Sequence, residues 1–547
     1  MKFFRIFFLL VTGCAVIQKI YPQSGNPDYT SKVPKYSFSN LPDSQELELK
    51  SNPLLSRFAI ARKKMESDKY RPIYHFINPE GNLNDPNGLC YWKGNWHLFY
   101  QAYPPEDTRQ HWGHAVSKDL IHWRDLPYAI YPNPEYQCFS GATLVEENRV
   151  IAMYHGTRVG NMVAIAEDSL LLNWRKVSGN AVIPLNSPVG LPYSVFDPCI
   201  WKKNGVYYSL SAGRSTNGIE GKSWRADYLF RSTDLIHWDY LKEFVEGDRF
   251  TLPGDDGACP YFWPIGNRYI LNFFSHMSGG QYLLGDYDTI QDKFKATAHG
   301  KFNFGAAIPS GVHAPSATPD GKGGVIILFN MNSGKPTSGW NQVMTLPRRL
   351  TLAGKDTIMM EPTGDIESLR FNHHHVRATN LPANKEVVFK DIQGNAMEII
   401  AEIDPKDAPM IELNVLRSPK KEEYTRITFF KTRGYHQGRP YEVPRPKDWR
   451  YSYNSIISLE TSNSSILPDV LSRAPETAPV MINPGEKLKL RIFIDKSIVE
   501  VFVNNKQCVA ARVYPGRDDS IGLSVRSQGQ SSELISLDAW QLKNIYK

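Results

Sequence analysis

The sequence predicts an all-β protein, a five-bladed β-propeller followed by a C-terminal β-sandwich. Three observations carry this. At 547 residues the chain is too long for one hydrophobic core, so two domains are expected. Beyond about residue 70 the helical period disappears, and short apolar-aromatic runs alternate with turn residues. A segment also recurs: Ser117-Lys118-Asp119-Leu120-Ile121-His122-Trp123 returns as Ser232-Thr233-Asp234-Leu235-Ile236-His237-Trp238, with a weaker copy at Ser169-Leu170-Leu171-Leu172-Asn173-Trp174. Its tryptophans lie 51 and 64 residues apart, close to the roughly 50 residues of a four-stranded propeller repeat. Residues 71–370 would then hold five blades.

The elements follow in chain order. Lys2 and Arg5 precede the apolar run Ile6 to Ile17, which is the pattern of an export signal and too short for a comfortable membrane span. Residues 1–22 are therefore set apart from the fold, and the chain is expected to be exported: periplasmic, secreted or held at the cell surface. Val11-Thr12-Gly13-Cys14 also resembles a bacterial lipoprotein cleavage box. A lipid anchor on Cys14 and an ordinary signal peptide with a cysteine in its apolar run both stay open. Residues 23–70, rich in Pro, Ser and charge, read as a tether with one short helix around Leu54 to Lys69. Lys93-Gly94-Asn95, between two aromatic runs, is a hairpin signal. From 385 to 547 runs such as Leu490–Asp495 and Ile498–Val503 are strand-like with no helix between them, which suggests the sandwich.

Composition narrows the function classes. With 41% hydrophobic and 22% charged residues the chain is neither disordered nor polytopic in a membrane. The net charge of +7 is spread among acidic residues, so nucleic acid is not an expected partner. Aromatic residues reach 12%, which suits sugar stacking as well as ordinary strand packing. Besides Cys14 there are five scattered cysteines, Cys90, Cys138, Cys199, Cys259 and Cys508, with no paired spacing. Neither a metal site nor a disulfide scaffold is expected, and at least one buried free thiol is. No cofactor motif is present, and His373-His374-His375 reads as a linker feature, since consecutive strand residues face opposite ways.

Asn84-Asp85-Pro86-Asn87-Gly88 is by composition an ordinary turn. Between His75-Phe76-Ile77-Asn78-Pro79 and a strongly aromatic hairpin, however, Asp85 has what a glycosidic nucleophile needs: a carboxylate held rigid among amide donors. From these residues the chain resembles glycoside hydrolase family 32, the invertases, levanases and inulinases. Asn84 to Gly88 reproduces that family's N-D-P-N-G box, with Leu83 where Met is common. Phe99-Tyr100-Gln101, Trp112-Gly113-His114-Ala115-Val116-Ser117, Phe139-Ser140-Gly141 and Met344-Thr345-Leu346-Pro347-Arg348 match later propeller elements in order. Arg491 to Val503 and Arg512-Val513-Tyr514-Pro515 look like its sandwich domain.

The resemblance implies a retaining enzyme acting on an oligo- or polysaccharide, fructan-like or a related furanoside. It implies Asp85 as nucleophile, Asp197 as transition-state stabiliser, and Asn84, Asn87, Gln101, Trp112, Phe139 and Ser140 in substrate binding. Three departures stand against it. Phe196 replaces the arginine of the R-D-P motif, Ala258 replaces the acid/base glutamate of E-C-P, and Tyr103 to His111 lacks the family's additional tryptophan. The sequence nominates Asp256, beside Asp255 in a Gly-flanked turn, as a relocated acid, because paired like charges raise one pKa. Three changes around one pocket suggest a shifted substrate. The alternative is a non-catalytic glycan-binding protein on the same fold.

Overall fold

The computed structural model describes residues 28–215, 221–431, 455–483 and 485–546, so the expected export signal and Cys14 lie outside the described residues. Five sheets follow one another along the chain, each with four antiparallel strands in sequence order and some with a short extra strand, one of them parallel. Their first strands are Leu83–Trp92, Cys138–Val145, Pro198–Lys203, Ala258–Ile265 and Val312–Pro319. These first strands touch one another from sheet to sheet and so form the inner ring. Later strands of each sheet lie progressively further out. This is the five-bladed propeller the sequence predicts.

The recurring segment is the turn between third and fourth strands. In the first blade Asp119 Oδ1 accepts the N–H groups of Ile121 and His122 while its Oδ2 meets His122 Nδ1 at 2.8 Å. Asp234 repeats this in the third blade with Ile236 and His237. Asp168 caps Leu172 and Asn173 in the second. A fourth copy escaped the sequence comparison: Asp288 caps Ile290 and Gln291 in the fourth blade, but no tryptophan follows. The aspartate closes the turn, and the tryptophan is its packing accessory. At the expected hairpin, Lys93 and Gly94 both take positive φ, as a tight two-residue turn requires.

The segment expected to be a tether is docked instead. It carries two helices, Pro42–Lys50 and Pro53–Lys64, where the sequence predicts one. Asn52 caps the second by accepting from the N–H of Leu54 and Leu55, and Pro53 fits its first turn. Arg62 grips Asp125 through two nitrogens at 2.6 and 2.7 Å, and Gln45 donates to Asp168 at 2.7 Å, so the helices pack on the first two blades.

The sandwich begins earlier than residue 385: Arg370–Val376 and Thr379–Leu381 pair with the last strand, Ser532–Leu542. His373 and His375 share a face there and both reach Asp538 at 2.8 Å. Two sheets enclose an aliphatic core including Leu413, Ile427, Ile492 and Val501. Phe493, Phe502 and Cys508 join the propeller core instead, so the two domains share packed apolar surface. All five described cysteines are free and buried.

Candidate active site

The carboxylates and the polar residues around them on the inner ring lie at the same end of it. Asp85, Ser140 and His313 sit two, two and one residues into their first strands, Asp197 directly precedes the third, and Ala258 opens the fourth. Four of these five strands break register there, between Leu83 and Pro86, Cys138 and Gly141, Ala258 and Tyr261, and Val312 and Pro315. Bulges of this kind re-aim side chains. A proline beside each of Asp85, Asp197 and Cys259 removes one ladder donor and lets the strand start irregularly. Gly88 makes the last turn of its box possible: its φ is +48° and a Cβ there would lie 2.6 Å from Thr143 Cγ2.

Asp85 is 7% exposed. Its Oδ2 accepts from Ser140 Oγ at 2.7 Å and Gln101 Nε2 at 3.3 Å, and Gln101 also donates to Ser140 at 2.7 Å. Gln110 donates to Gln101 at 2.9 Å and to Tyr103 at 2.6 Å, so the stretch lacking the extra tryptophan extends this network. Oδ1 is buried and has no hydrogen-bond partner among the described residues; His313 Nδ1 stands 3.7 Å from it. Burial pushes the carboxyl up, but His313, Ser140 and the charge of His276 together hold it below the usual range. The result is an ionised carboxylate with one oxygen anchored and one uncommitted.

Asp197 comes from the opposite side of the ring and shares a neighbour with Asp85. Cys259 Sγ lies 3.6 Å from Asp85 Oδ2 and 3.5 Å from Asp197 Oδ2, and the Cys259 N–H donates to Asp197 at 3.1 Å. Cys259 has φ of +50°, a left-handed backbone that presents both groups to one carboxylate. Burial and the charge of Asp85 push Asp197 up to about 7, against the pull of Cys259 and His276. No cation offsets this at position 196. Phe196 meets His155 edge-on at 6.3 Å, and His155 meets Phe139 at 6.1 Å. Burial lowers His155 to about 4, so it is neutral, and the wall beside Asp197 is apolar and aromatic.

Residues 75–362 match the Glycosyl hydrolases family 32 N-terminal domain, and residues 365–541 match its C-terminal domain. The chain belongs to glycosyl hydrolases family 32. It is 29% identical over 525 residues to a levanase of Bacillus subtilis, covering 88% of this chain and 71% of the levanase. It is 27% identical to a fructan 6-exohydrolase of Beta vulgaris, over 87% of this chain and 88% of that one. Fructan 1-exohydrolase IIa from Cichorium intybus shares the fold at a TM-score of 0.74 and 22% identity, covering 87% of this chain and 98% of that one.

Within this family 32 chain the structure sorts the sequence-nominated residues. Asp85, Asp197, Gln101 and Ser140 come together at the ring's end. Asn84 lies beside them, accepting from Asn330 and Gln342 of the fifth blade at 3.2 Å each. Phe139 contributes to the aromatic wall. Trp112 does not reach the site. It is fully buried on the third strand of its blade, one layer behind Gln101, with Nε1 donating to the Phe139 carbonyl at 2.9 Å. Asn87 is likewise buried, its amide set between the Pro86 carbonyl at 3.1 Å and Trp112 Nε1 at 3.2 Å. Both hold the site's floor in place.

Asp256 is corrected as an acid. Its Oδ2 accepts from His276 Nδ1 at 2.6 Å and lies 3.3 Å from Arg214 Nη2, while Oδ1 accepts the His276 N–H at 3.2 Å. Burial favours its neutral form, but His276 and Arg214 outweigh this and hold the carboxyl below the usual range. A proton donor needs the reverse. Asp255 points elsewhere, to Ser278 Oγ and the Leu252 N–H. Two residues are new to the site: His313, one residue into the fifth inner strand, and His276, in the turn after Arg268–Ser275. A polar residue one or two positions before a proline at the start of a blade, as in His313-Ala314-Pro315, was the signal for the first. Among the described residues no cluster of His, Cys, Asp or Glu is built to hold a metal.

Proposed function

We propose that this protein hydrolyses β-fructofuranosidic bonds of sucrose- or fructan-like oligosaccharides with retention of configuration, using Asp85 as nucleophile. The observation that carries this is the Asp85 carboxylate, ionised, anchored through Oδ2 and free at Oδ1. Attack of Oδ1 on the anomeric carbon would give a fructosyl ester that water then hydrolyses. Asp197, across the site, suits the holding of sugar hydroxyls and the positive charge that develops on the ring. The aromatic wall of Phe139, His155 and Phe196 offers an apolar face in place of the guanidinium, which supports a substrate differing from simple sucrose. The basic start and apolar run at the N-terminus support export, with Cys14 as the place a lipid anchor would attach.

The test is incubation with sucrose, levan, inulin and short fructo-oligosaccharides, reading released fructose. In aqueous methanol the expected trapped product is the β-methyl fructofuranoside, the mark of retention. Trapping of the α-product, or no turnover of any fructoside, overturns the reading. A second expectation concerns pH. If Asp197 must be ionised, kcat/KM should fall on the acid side with an apparent pKa near 7. Phe196→Arg should move that limb down by about one to three pH units, the usual effect of a cation beside a carboxylate. An unmoved limb would remove Asp197 from the role.

A further inference from the structure

The geometry points to His276 as the proton donor of this site, in place of the missing carboxylic acid at Ala258, with Asp256 as its positioning residue. This rests on the retaining mechanism proposed above. Ala258 is paired across the blade with Phe274. The His276 ring lies 4.7 Å from the Phe274 ring and 6.0 Å from the His313 ring, and His313 Nδ1 is 3.7 Å from Asp85 Oδ1. An imidazole thus stands beside the position that holds no acid, on the side facing the nucleophile.

Asp256 fixes His276 at two points, accepting from the ring Nδ1 and from the backbone N–H. A carboxylate on Nδ1 sets the tautomer and the ring orientation, so Nε2 becomes the working nitrogen. Nε2 makes no hydrogen bond among the described residues. The side chain is 63% exposed, whereas that of Asp256 is 6% exposed. A buried carboxylate thus holds an imidazole whose far nitrogen is open to a substrate. Among the described residues the other charged or titratable groups facing the pair are Arg214, Asp85, Asp197 and His313. The hydrogen bond that His276 donates to Asp256 outweighs burial and, with the charges of Asp256, Asp85 and Asp197, raises His276 above its ordinary 6.5. The imidazolium is therefore available near neutral pH.

In the first step the Nε2 proton passes to the glycosidic oxygen as the C2–O bond breaks and Asp85 Oδ1 forms the ester bond to C2. The alcohol leaves neutral, and His276 is left as neutral imidazole. In the second step Nε2 takes a proton from water as the water oxygen attacks C2 and the ester bond breaks. Asp85 is released as carboxylate and His276 returns to imidazolium, so atoms and charge balance over the cycle.

The experiment compares kcat/KM on two substrates for the full chain. Sucrose, or the fructo-oligosaccharide that the wild-type chain hydrolyses where it spares sucrose, has a leaving alcohol that needs a proton. A 4-nitrophenyl β-fructofuranoside does not, because its phenolate leaves unaided. His276→Ala and His276→Gln should each lose about 10² to 10⁴-fold on the first substrate, but less than about 10-fold on the aryl fructoside. Asp256→Asn should shift the alkaline limb of kcat/KM to lower pH by about one unit, since the imidazolium loses its counter-charge. Equal losses on both substrates would mean a structural role and overturn the inference, as would no loss on the first. An unmoved alkaline limb in Asp256→Asn would overturn the part given to Asp256. If the wild-type chain turns over neither the aryl fructoside nor any of sucrose, levan, inulin and the short fructo-oligosaccharides, the retaining reading itself fails. A fault confined to the histidine leaves wild-type turnover, and its dependence on Asp85, intact.

Discussion

Asp85→Ala is expected to lower kcat on every fructoside that the wild-type chain hydrolyses by about 10⁴-fold or more, roughly 5.4 kcal/mol of barrier. The size follows from the geometry. Oδ1 is a buried, uncommitted oxygen of a carboxylate held below the usual range at the inner ring, whereas Asp197 is pushed up to about 7 and so is the poorer nucleophile at neutral pH. Ser140→Ala removes only the clamp on Oδ2, so it should lose about 10-fold, the scale of one hydrogen bond to a charged group. The alanine variant also leaves a cavity that a small anion can enter. Formate or azide should restore part of its turnover on the aryl fructoside, and azide should give the fructosyl azide of inverted configuration. Asp85→Asn, which fills the space, should show no such rescue. Retention of more than about a tenth of wild-type activity by Asp85→Ala would end the case for a covalent fructosyl intermediate on this residue.

The parts of this site that were legible in the sequence are those carried by contiguous segments. Asp85, Gln101, Ser140 and Asp197 each sit in a short motif at the start of a blade or on the strand next to it, so their order along the chain already places them around the ring. Trp112 was misplaced because a motif shows which residues occur together and not how far each strand lies from the axis. His276 and His313 were not legible because closure of the ring brings them to Asp85 from more than 190 residues away. Asp256 was nominated on the rule that adjacent aspartates raise one another's pKa. That rule fails here because Asp255 turns to Ser278 and Asp256 to His276 and Arg214, so each has its own donors. The blade repeat was found through tryptophans, although the turn depends on the capping aspartate. That is why the copy at Asp288, followed by Phe294 and not by a tryptophan, went unseen.

The largest stability effect is expected where the two domains meet. His75, at the start of the propeller, lies fully buried between two sandwich carboxylates, with Nδ1 3.0 Å from Asp495 and Nε2 3.1 Å from Glu500. Asp495 also accepts the N–H groups of Ile73, Tyr74 and His75, and Glu500 also binds Arg348 at 2.8 Å. With His75 protonated, the cluster holds two positive and two negative charges away from water. Glu500→Ala leaves His75 with Asp495 alone and takes from the buried Arg348 the carboxylate it binds, and should cost about 3–5 kcal/mol, as breaking a buried pair does. Burial opposes the charge on His75, but its hydrogen bonds to Asp495 and Glu500 outweigh burial and raise its pKa. Its contribution is therefore complete below its unfolded value of about 6.5 and is lost as pH rises through the raised folded value. Glu500 has the opposite sign. Burial would raise it, but Arg348 and His75 hold it low, so its contribution is present above about 4.3 and lost as pH falls through the depressed value. Denaturant unfolding of the wild-type chain should accordingly show greatest stability between about pH 4.3 and 6.5, as far as this cluster decides it. His75→Gln should be less stable there and should flatten the alkaline decline. An alkaline decline that persists unchanged in His75→Gln would show that the two domains are not held together by this charge.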